Sequence, residues 1–269
     1  MNILEKIVAH KRIEVQQQQE LYPVKLLEKS IYFQTPTVSL SQYLKRPDLS
    51  GIIAELKRKS PSQGDIHPYL DVERVSIGYM QAGASALSIL TDQQYFGGSL
   101  EDLNLARKMN YCPILRKEFI IDEYQIIEAK SAGADAILLI AACLRPEEIV
   151  SLANTATSLG LEVLLEVHNQ AELTENLEAP VQLIGVNNRD LTTFEVNIQT
   201  SLDLVSSIPD SVTKVAESGL SDPKEVVKLK QAGFDGFLMG QRFMETTRPE
   251  KACAKFITSL RELLAAPTV

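Results

Sequence analysis

One phrase recurs along the chain at regular intervals. Residues 82–90 read AGASALSIL, residues 132–140 read AGADAILLI, and residues 232–240 read AGFDGFLMG. In each copy an Ala-Gly pair, typical of a helix end, precedes a short apolar stretch that is typical of a buried strand. The copies lie 50 and 100 residues apart, and one strand with its helix occupies about 25 residues. Each interval of 50 residues therefore predicts two β/α units.

Further apolar segments stand where the other strands of such an array are expected. They are 51–57 (GIIAELK), 113–117 (PILRK), 161–167 (LEVLLEV), 182–187 (QLIGVN) and 213–219 (TKVAESG). Eight strands that alternate with amphipathic helices predict an α/β fold whose parallel sheet is buried on both faces. The even phasing favours closure into a (β/α)8 TIM barrel. An open, doubly wound sheet is the alternative.

The first 48 residues do not follow the repeat. Residues 1–21 form a predicted helix with apolar residues at positions 3, 4, 7, 8 and 13, and prolines interrupt the segment that follows it. We therefore expect residues 1–48 to be an N-terminal helical extension packed on a barrel of residues 49–269, the two together forming one domain. The last helix of the barrel is predicted at about residues 249–265.

Composition and charge exclude several kinds of protein. The chain has 35 acidic and 27 basic residues, a net charge of −8, and no long basic stripe, which argues against a nucleic-acid partner. Its three cysteines lack metal-ligand spacing and suit a reducing compartment. Neither a signal peptide nor an apolar run of about 20 residues, the length of a membrane span, is recognisable. We expect a cytoplasmic protein without a membrane partner.

Polar residues cluster where the predicted strands end. In a barrel these carboxyl ends carry the catalytic residues. Buried charges at one rim are costly unless they pair or meet a ligand, so a structural ring of ion pairs is the simpler alternative to an acid–base site. The convergence of carboxylates and lysines from four strands favours the acid–base site. The polar residues at these ends are Glu55, Lys57, Arg116, Lys117, Glu166, Asn187, Asn188, Arg189, Glu217 and Ser218.

Histidine and cysteine are weaker candidates for the chemistry. His168 comes two residues after Glu166 and is expected on the following loop, either at the surface or behind the site. Cys112 precedes strand 3, at the opposite end of the barrel from the site, and Cys143 after strand 4 is expected to serve packing. No thiol nucleophile is therefore predicted.

Glycines after strands 7 and 8 point to a phosphorylated ligand. Barrels commonly bind phosphate with these two loops, and Gly219 and Gly240 lie in them. Glycine lets backbone N–H groups approach an anion, and a helix that begins near Gln241 would add its N-terminal dipole. Ser60, in the Lys- and Arg-rich loop after strand 1, adds a hydroxyl.

Six segments in order resemble one enzyme family. They are 52–66 (IIAELKRKSPSQGDI), 86–99 (ALSILTDQQYFGGS), 113–126 (PILRKEFIIDEYQI), 161–169 (LEVLLEVHN), 184–191 (IGVNNRDL) and 215–220 (VAESGL). Together they are similar to the indole-3-glycerol-phosphate synthases of tryptophan biosynthesis. The resemblance implies a TIM barrel with a helical extension and a carboxy-lyase that needs no metal or organic cofactor. Its substrate would be 1-(2-carboxyphenylamino)-1-deoxyribulose 5-phosphate, converted into indole-3-glycerol phosphate, CO2 and water.

The resemblance also implies roles for individual residues. Lys117 would be the general acid, and Lys57 would meet the substrate carboxylate and assist dehydration. How the proton transfers divide between the two lysines, and between Glu55 and Glu166, is left open. The implied catalytic residues are Glu55, Lys57, Lys117, Glu166, Asn187 and Glu217. The implied substrate-binding residues are Ser60, Phe96, Phe119, Arg189, Ser218, Gly219 and Gly240.

Two positions depart from the family pattern. Gln241 stands where many members have Ser or Thr, and Arg58 stands where an apolar or variable residue is expected. Rival interpretations are phosphoribosylanthranilate isomerase, the tryptophan synthase α subunit, and a catalytically silent barrel that binds phosphosugar. The isomerase chemistry favours a Cys/Asp pair, where this chain has Glu55, Lys57 and Glu166, and the α subunit lacks the N-terminal extension. A silent barrel would have no reason to retain the charges of Lys57, Lys117 and Glu166. The resemblance is also compatible with weak association with other enzymes of the tryptophan pathway.

Overall fold

A computed structural model describes residues 3–190 and 193–266. Its centre is a closed barrel of eight parallel strands, each hydrogen-bonded to the next along the chain and the last to the first. Closure confirms the predicted barrel and excludes the open sheet. The strands are β1 (Ile52–Leu56), β2 (Ala86–Leu90), β3 (Ile114–Lys117), β4 (Ala136–Ile140), β5 (Glu162–Val167), β6 (Leu183–Asn187), β7 (Thr213–Glu217) and β8 (Gly236–Met239).

Helices precede the barrel, surround it and occupy some of its loops. They are α1 (Ile3–Leu21), α2 (Val24–Leu27), α3 (Leu40–Leu44), α4 (Val72–Ala82), α5 (Gln93–Phe96), α6 (Leu100–Met109), α7 (Glu123–Ala132), α8 (Pro146–Ser158), α9 (Gln170–Glu175), α10 (Gln199–Leu204), α11 (Pro223–Ala232), α12 (Gln241–Met244) and α13 (Pro249–Ala265). Short 3-10 turns cover Ala141–Cys143 and Val205–Ser207. In the loop after β1, Lys59–Ser60 pairs antiparallel with Gly64–Asp65.

The recurring Ala-Gly pairs end three of the surrounding helices, as predicted. Gly83, Gly133 and Gly233 follow α4, α7 and α11 with φ of 94°, 89° and 113°. This left-handed conformation is strained for any residue with a Cβ, and it turns the chain back towards the next strand. The repeat in the sequence is therefore the signature of a repeated helix-to-strand turn.

The N-terminal extension reaches both ends of the barrel. Leu40 and Leu44 of α3 join the apolar cluster inside the barrel, and Leu44 packs against Gly236 at the amino end of β8. Ile7 of α1 joins the same cluster but also lines a pocket with Lys117, at the carboxyl end of β3. The extension thus closes the base of the barrel with one helix and covers part of its active end with another.

An ion-pair cluster docks α1 on the barrel. The buried face of α1 is formed by residues 7, 11 and 15, whereas Ile13, part of the predicted apolar pattern, is 58% exposed. Lys11 is only 1% exposed, and its ammonium lies 3.0 Å from carboxylate oxygens of both Asp92 and Glu118. The division at residue 48 stays a prediction. In the part of the chain that the structure describes, no helix is long and apolar enough to cross a membrane.

Candidate active site

A single pocket at the carboxyl ends of the strands contains the whole set of predicted site residues. Three apolar side chains of α1, Ile3, Leu4 and Ile7, contribute to the same pocket. Sequence reasoning missed them, because the apolar stripe of α1 predicts burial but not where the helix docks. The predicted residues that line the pocket are Glu55, Lys57, Ser60, Phe96, Lys117, Phe119, Glu166, Asn187, Arg189, Glu217, Ser218, Gly219 and Gly240.

Lys117 of β3 connects two carboxylates that come from β5 and β7. Its Nζ donates to Glu166 Oε2 at 2.9 Å and to Glu217 Oε2 at 2.7 Å. Alternation along a strand turns every second side chain inward, so the last inward residues of β3, β5 and β7 meet above the apolar interior. The side chain of Lys117 is 14% exposed, against 5% for Glu166 and 2% for Glu217. Of the three groups, the ammonium is the one most open to a substrate.

Burial and charge act in opposite directions on this triad. Burial lowers the pKa of Lys117, but the negative charges of Glu166, Glu217 and Glu55 outweigh this effect. The net pKa therefore lies above the ordinary value, and the ammonium stays charged. Burial raises the pKa of Glu166, but Lys117 and His168 outweigh this effect and lower it below the ordinary value, so this carboxylate stays ionised. Burial raises the pKa of Glu217 to about 7, against the attraction of Lys117 and with the repulsion of Glu166. One lysine thus lies between a permanent carboxylate and one that exchanges protons near neutrality.

Lys57 and Glu55 form a second ion pair at the end of β1. Lys57 Nζ donates to Glu55 Oε1 at 2.8 Å, and the two side chains are 15% and 5% exposed. A Cβ at position 240 would lie 2.5 Å from Glu55 Oε1, so Gly240 leaves the space in which this carboxylate stands. The glycine predicted for anion binding therefore also has a packing role.

Gly185 has a matching role on β6. A Cβ at this position would overlap Glu217 Oε1 and crowd Leu164 of β5. Glu217 Oε1 is buried and accepts no hydrogen bond from the residues that the structure describes. The barrel thus gives up a side chain on β6 so that a carboxylate can reach Lys117.

Asn187 and Arg189 continue the polar rim beyond Glu166. Asn187 Nδ2 donates to Glu166 Oε1 at 3.2 Å, and its Oδ1 accepts from the backbone N–H of Arg189 at 3.0 Å. The Arg189 guanidinium donates to Phe194 O at 3.2 Å and to Gln241 Oε1 at 3.4 Å. Gln241 is therefore placed beside Arg189, at the start of α12.

The backbone after β7 adopts an uncommon conformation. Ser218 has a φ of 66° and Gly219 a φ of 76°. Few residues other than glycine, asparagine and aspartate occupy this left-handed region, and such outliers concentrate at functional sites. The turn places Ser218 and Gly219 in the pocket with Gly240, the residue before α12.

Aromatic side chains form one wall of the pocket. The rings of Phe96 and Phe119 lie 5.9 Å apart, tilted by 37°. They pack with Ile7 in the inner apolar cluster. This wall offers a planar aromatic ligand the apolar surface it requires.

Two residues from the predicted polar rim point away from the pocket. Arg116 binds Thr91 Oγ1 and Glu128 outside the barrel, at 3.1 and 2.6 Å. Asn188 Oδ1 accepts from the backbone and hydroxyl of Ser201 in α10. Arg116 precedes the inward-facing Lys117, and Asn188 follows the inward-facing Asn187. Because side chains alternate between the two faces of a strand, both point outward. Including them in the rim cluster was wrong.

Arg58, the unexpected charge after β1, has a local partner. Its guanidinium donates to both carboxylate oxygens of Asp102 in α6 and to Gly97 O. The residue thereby joins the loop after β1 to the one after β2. Its charge is structural and does not compete with Lys57.

His168 lies behind Glu166 rather than at the surface. Its side chain is 10% exposed, and its Nε2 is 3.3 Å from Glu166 Oε1 while its Nδ1 is 3.1 Å from Glu172 Oε2.

Burial raises the pKa of Cys143 to about 12, with Glu166 and Glu172 adding to the effect. Cys143 packs beside the inner apolar cluster. Within residues 3–190 and 193–266, no group of three or more His, Cys, Asp or Glu residues could hold a metal ion.

Comparison with protein families identifies the group to which this site belongs. The model of the family described as indole-3-glycerol phosphate synthase matches residues 4–256. The chain belongs to the indole-3-glycerol phosphate synthase family. This assignment confirms the resemblance seen in the six sequence segments. Members of the family are carboxy-lyases of tryptophan biosynthesis that act on a small phosphosugar substrate.

Individual relatives agree along nearly the full length. The indole-3-glycerol phosphate synthase of Bacteroides thetaiotaomicron is 45% identical over 97% of this chain and 99% of its own length. Those of Kineococcus radiotolerans and Salinibacter ruber are 39% and 40% identical, over 96% and 98% of both chains. Among solved structures, thiamine phosphate pyrophosphorylase from Pyrococcus furiosus superimposes with a TM-score of 0.60 at 16% identity, covering 84% of this chain and all of that one. This last likeness concerns the fold alone.

Proposed function

We propose that this chain performs the reaction of its family with Lys117 as the general acid. The reaction closes an indole ring in 1-(2-carboxyphenylamino)-1-deoxyribulose 5-phosphate and releases CO2 and water. The observation that carries the proposal is the position of Lys117 Nζ, within 2.9 Å of Glu166 and 2.7 Å of Glu217 and open to the pocket. A charged ammonium held in place by two carboxylates is suited to donate a proton to an oxygen that gains negative charge.

Ring closure requires an acid on the ketone oxygen. The ring carbon that bears the carboxylate attacks the ketone carbon, the new C–C bond forms, and the carbonyl electron pair moves onto oxygen. Lys117 donates its proton there and yields a hydroxyl. Glu166 and Glu217 keep Lys117 oriented, and their negative charge favours its return to the ammonium form. A positioned acid of this kind contributes about 10²–10⁴-fold to the rate.

Decarboxylation follows from the first step. Loss of CO2 returns the bonding electrons to the ring and restores its aromaticity, so the step needs no electron sink from outside the substrate. We place the substrate carboxylate near Lys57, because that ammonium is partly open to the pocket and, among the described residues, pairs with a single carboxylate, that of Glu55. We expect neither a metal nor an organic cofactor to be required.

Dehydration completes the indole. The hydroxyl leaves as water after protonation, and a base removes a proton from the neighbouring CH2 carbon. Lys57 is our candidate for the acid, with Glu55 or Glu166 as the base. Asn187 holds Glu166 through Oε1 while Lys117 binds its other oxygen, which leaves the carboxylate ionised for this role.

Substrate binding uses the remainder of the pocket. We assign the aromatic ring of the substrate to the wall of Phe96 and Phe119. The phosphate is assigned to the loops after β7 and β8, where Gly219 and Gly240 let the backbone approach an anion, with Ser60 and Arg189 in the same pocket as further donors. We further propose a cytoplasmic location, no nucleic-acid partner, and a domain boundary near residue 48 between the extension and the barrel. Weak association with other enzymes of the tryptophan pathway completes the proposal.

The first test is product formation by the unmodified protein. The chain contains no Trp, so indole fluorescence from the product rises from a low background. We expect fluorescence to increase at a rate that saturates with the carboxyphenylamino-deoxyribulose phosphate, without added metal. Glu166→Gln is the matched control, because it keeps the side chain's shape and removes its charge. Absence of product, together with phosphosugar binding in calorimetry, would instead indicate a silent barrel.

A further inference from the structure

His168 lies between two carboxylates that belong to different elements. Its Nε2 is 3.3 Å from Glu166 Oε1 at the end of β5, and its Nδ1 is 3.1 Å from Glu172 Oε2 in α9. Nδ1 is hydrogen-bonded to Glu172, whereas Nε2 makes an ion-pair contact with Glu166. An imidazole that lies between two carboxylates is most stable as the cation, because its positive charge then faces two negative ones. The ring is nearly enclosed, with a side-chain exposure of 10%.

Glu172 is itself held firmly. Its Oε2 accepts the backbone N–H of His168 at 2.8 Å, and its Oε1 accepts from Asn169 Nδ2 at 2.8 Å. Asn169 in turn caps α9 by accepting from the backbone N–H of Glu172 at 2.9 Å. The start of α9 therefore fixes the carboxylate that holds the imidazole.

The two carboxylate oxygens of Glu166 have different partners, and Oε2 is the one that meets the proposed general acid. Oε2 accepts from Lys117 Nζ at 2.9 Å, whereas Oε1 receives Asn187 Nδ2 at 3.2 Å and the His168 contact. Glu166 is thus fixed from three directions by two cations and one amide. We infer that His168 is the positioning residue of Glu166, holding the carboxylate ionised and aligned with Lys117. The inference rests on the proposed function of Glu166.

Four elements of the described structure contribute the charged and titratable groups around the ring. They are Glu166 on β5, with Lys117 of β3 behind it, Glu172 on α9, and the Cys143 thiol in the turn after β4, near both glutamates. Burial lowers the pKa of His168, but Glu166 and Glu172 outweigh this effect and raise the pKa to about 10. The thiol stays neutral because its own pKa is raised to about 12. The imidazolium therefore persists across the pH range of an enzyme assay.

The test compares His168→Ala with His168→Gln and with His10→Ala as a control. His10 is on α1 and is 41% exposed. In His168→Ala we expect kcat to fall by about tenfold or more, the scale for a misaligned acid–base group, while KM stays within about twofold. The acid limb of the kcat–pH profile should move up by about one unit, because Glu166 loses a nearby positive charge. His168→Gln, which keeps a donor but no charge, should recover part of kcat and leave the limb displaced.

Control measurements keep the outcomes separate. His10→Ala should match the unmodified protein in kcat and in the acid limb, and circular dichroism checks that each variant is folded. If His168→Ala does not fold, Glu172→Gln replaces it, and its acid limb should move in the same direction by less. An unmodified protein without product overturns the proposed function. An active unmodified protein whose His168 variants keep both kcat and the acid limb overturns the positioning role alone.

Discussion

Lys11 and Lys117 are two enclosed ammonium groups with nearly the same local chemistry. Lys11 lies 3.0 Å from Asp92 and from Glu118, and Lys117 lies 2.9 and 2.7 Å from Glu166 and Glu217. Burial lowers the pKa of each, and the surrounding carboxylates raise it further. Neither the ion-pair distances nor the direction of the pKa shift therefore tells which lysine performs chemistry.

Access to the pocket and the pKa of a partner carboxylate distinguish the two lysines. The Lys11 side chain is 1% exposed and lies under α1, whereas that of Lys117 is 14% exposed and faces the pocket. Burial raises the pKa of Glu118, but Lys11 and Arg116 outweigh this effect, so the pKa lies below the ordinary value. Beside Lys117, the pKa of Glu217 is raised instead. The Lys11 cluster is closed to solvent, whereas the Lys117 cluster contains a carboxylate with a raised pKa and opens to the pocket.

The largest expected effect comes from removing the exposed member of this comparison. Lys117→Met should lower kcat by about 10²–10⁴-fold, the contribution of a general acid. Steady-state rates of indole fluorescence measure this loss, and circular dichroism verifies folding. A kcat near that of the unmodified protein would remove Lys117 from the acid role and leave Lys57 as the candidate.

Replacing Lys11 should instead affect stability more than catalysis. Lys11→Met removes the cation that Asp92 and Glu118 share and, among the described residues, leaves Glu118 with Arg116 as its one ion-pair partner. Breaking a buried pair in this way costs about 3–5 kcal/mol of the free energy of unfolding. Urea unfolding measures the loss. The kcat of the folded variant should stay within about a factor of 10, short of the loss of a general acid. A larger fall in kcat than in Lys117→Met would mean that docking of α1, rather than Lys117, dominates catalysis.

The smallest effect concerns the pH dependence of stability. The pKa of Glu217 is raised to about 7 in the folded protein, so its contribution to stability is present below its unfolded pKa near 4.5 and is lost as the pH rises through 7. Glu217→Gln should remove this component, about 1–3 kcal/mol between pH 4.5 and 7.5. Urea unfolding across that range measures it. Glu118→Gln is the matched comparison: its effect should have the opposite sign, because the pKa of Glu118 is lowered.

Local patterns were enough to predict most of the barrel and the composition of its active end. The spacing of the three Ala-Gly pairs, together with the apolar segments between them, predicted eight β/α units, and all eight strands are present. The order of residues along β3 also contained the information that Arg116 and Lys117 face opposite ways. Grouping both at the rim neglected that alternation. His168 was left between two interpretations, because its partner Glu172 belongs to a helix whose docking the sequence does not show.

The sequence by itself determined the period of the chain, the strand ends on which charges occur, and the family to which their pattern belongs. These features depend on neighbours within a few residues or on motifs read in order. The tertiary structure decided which charges meet. Lys117 and Glu217 are 100 residues apart, and only the closed sheet brings their side chains into contact. It also decided that Lys11 is closed off and Lys117 open, because access depends on where α1 docks across the barrel, and no local pattern encodes that placement.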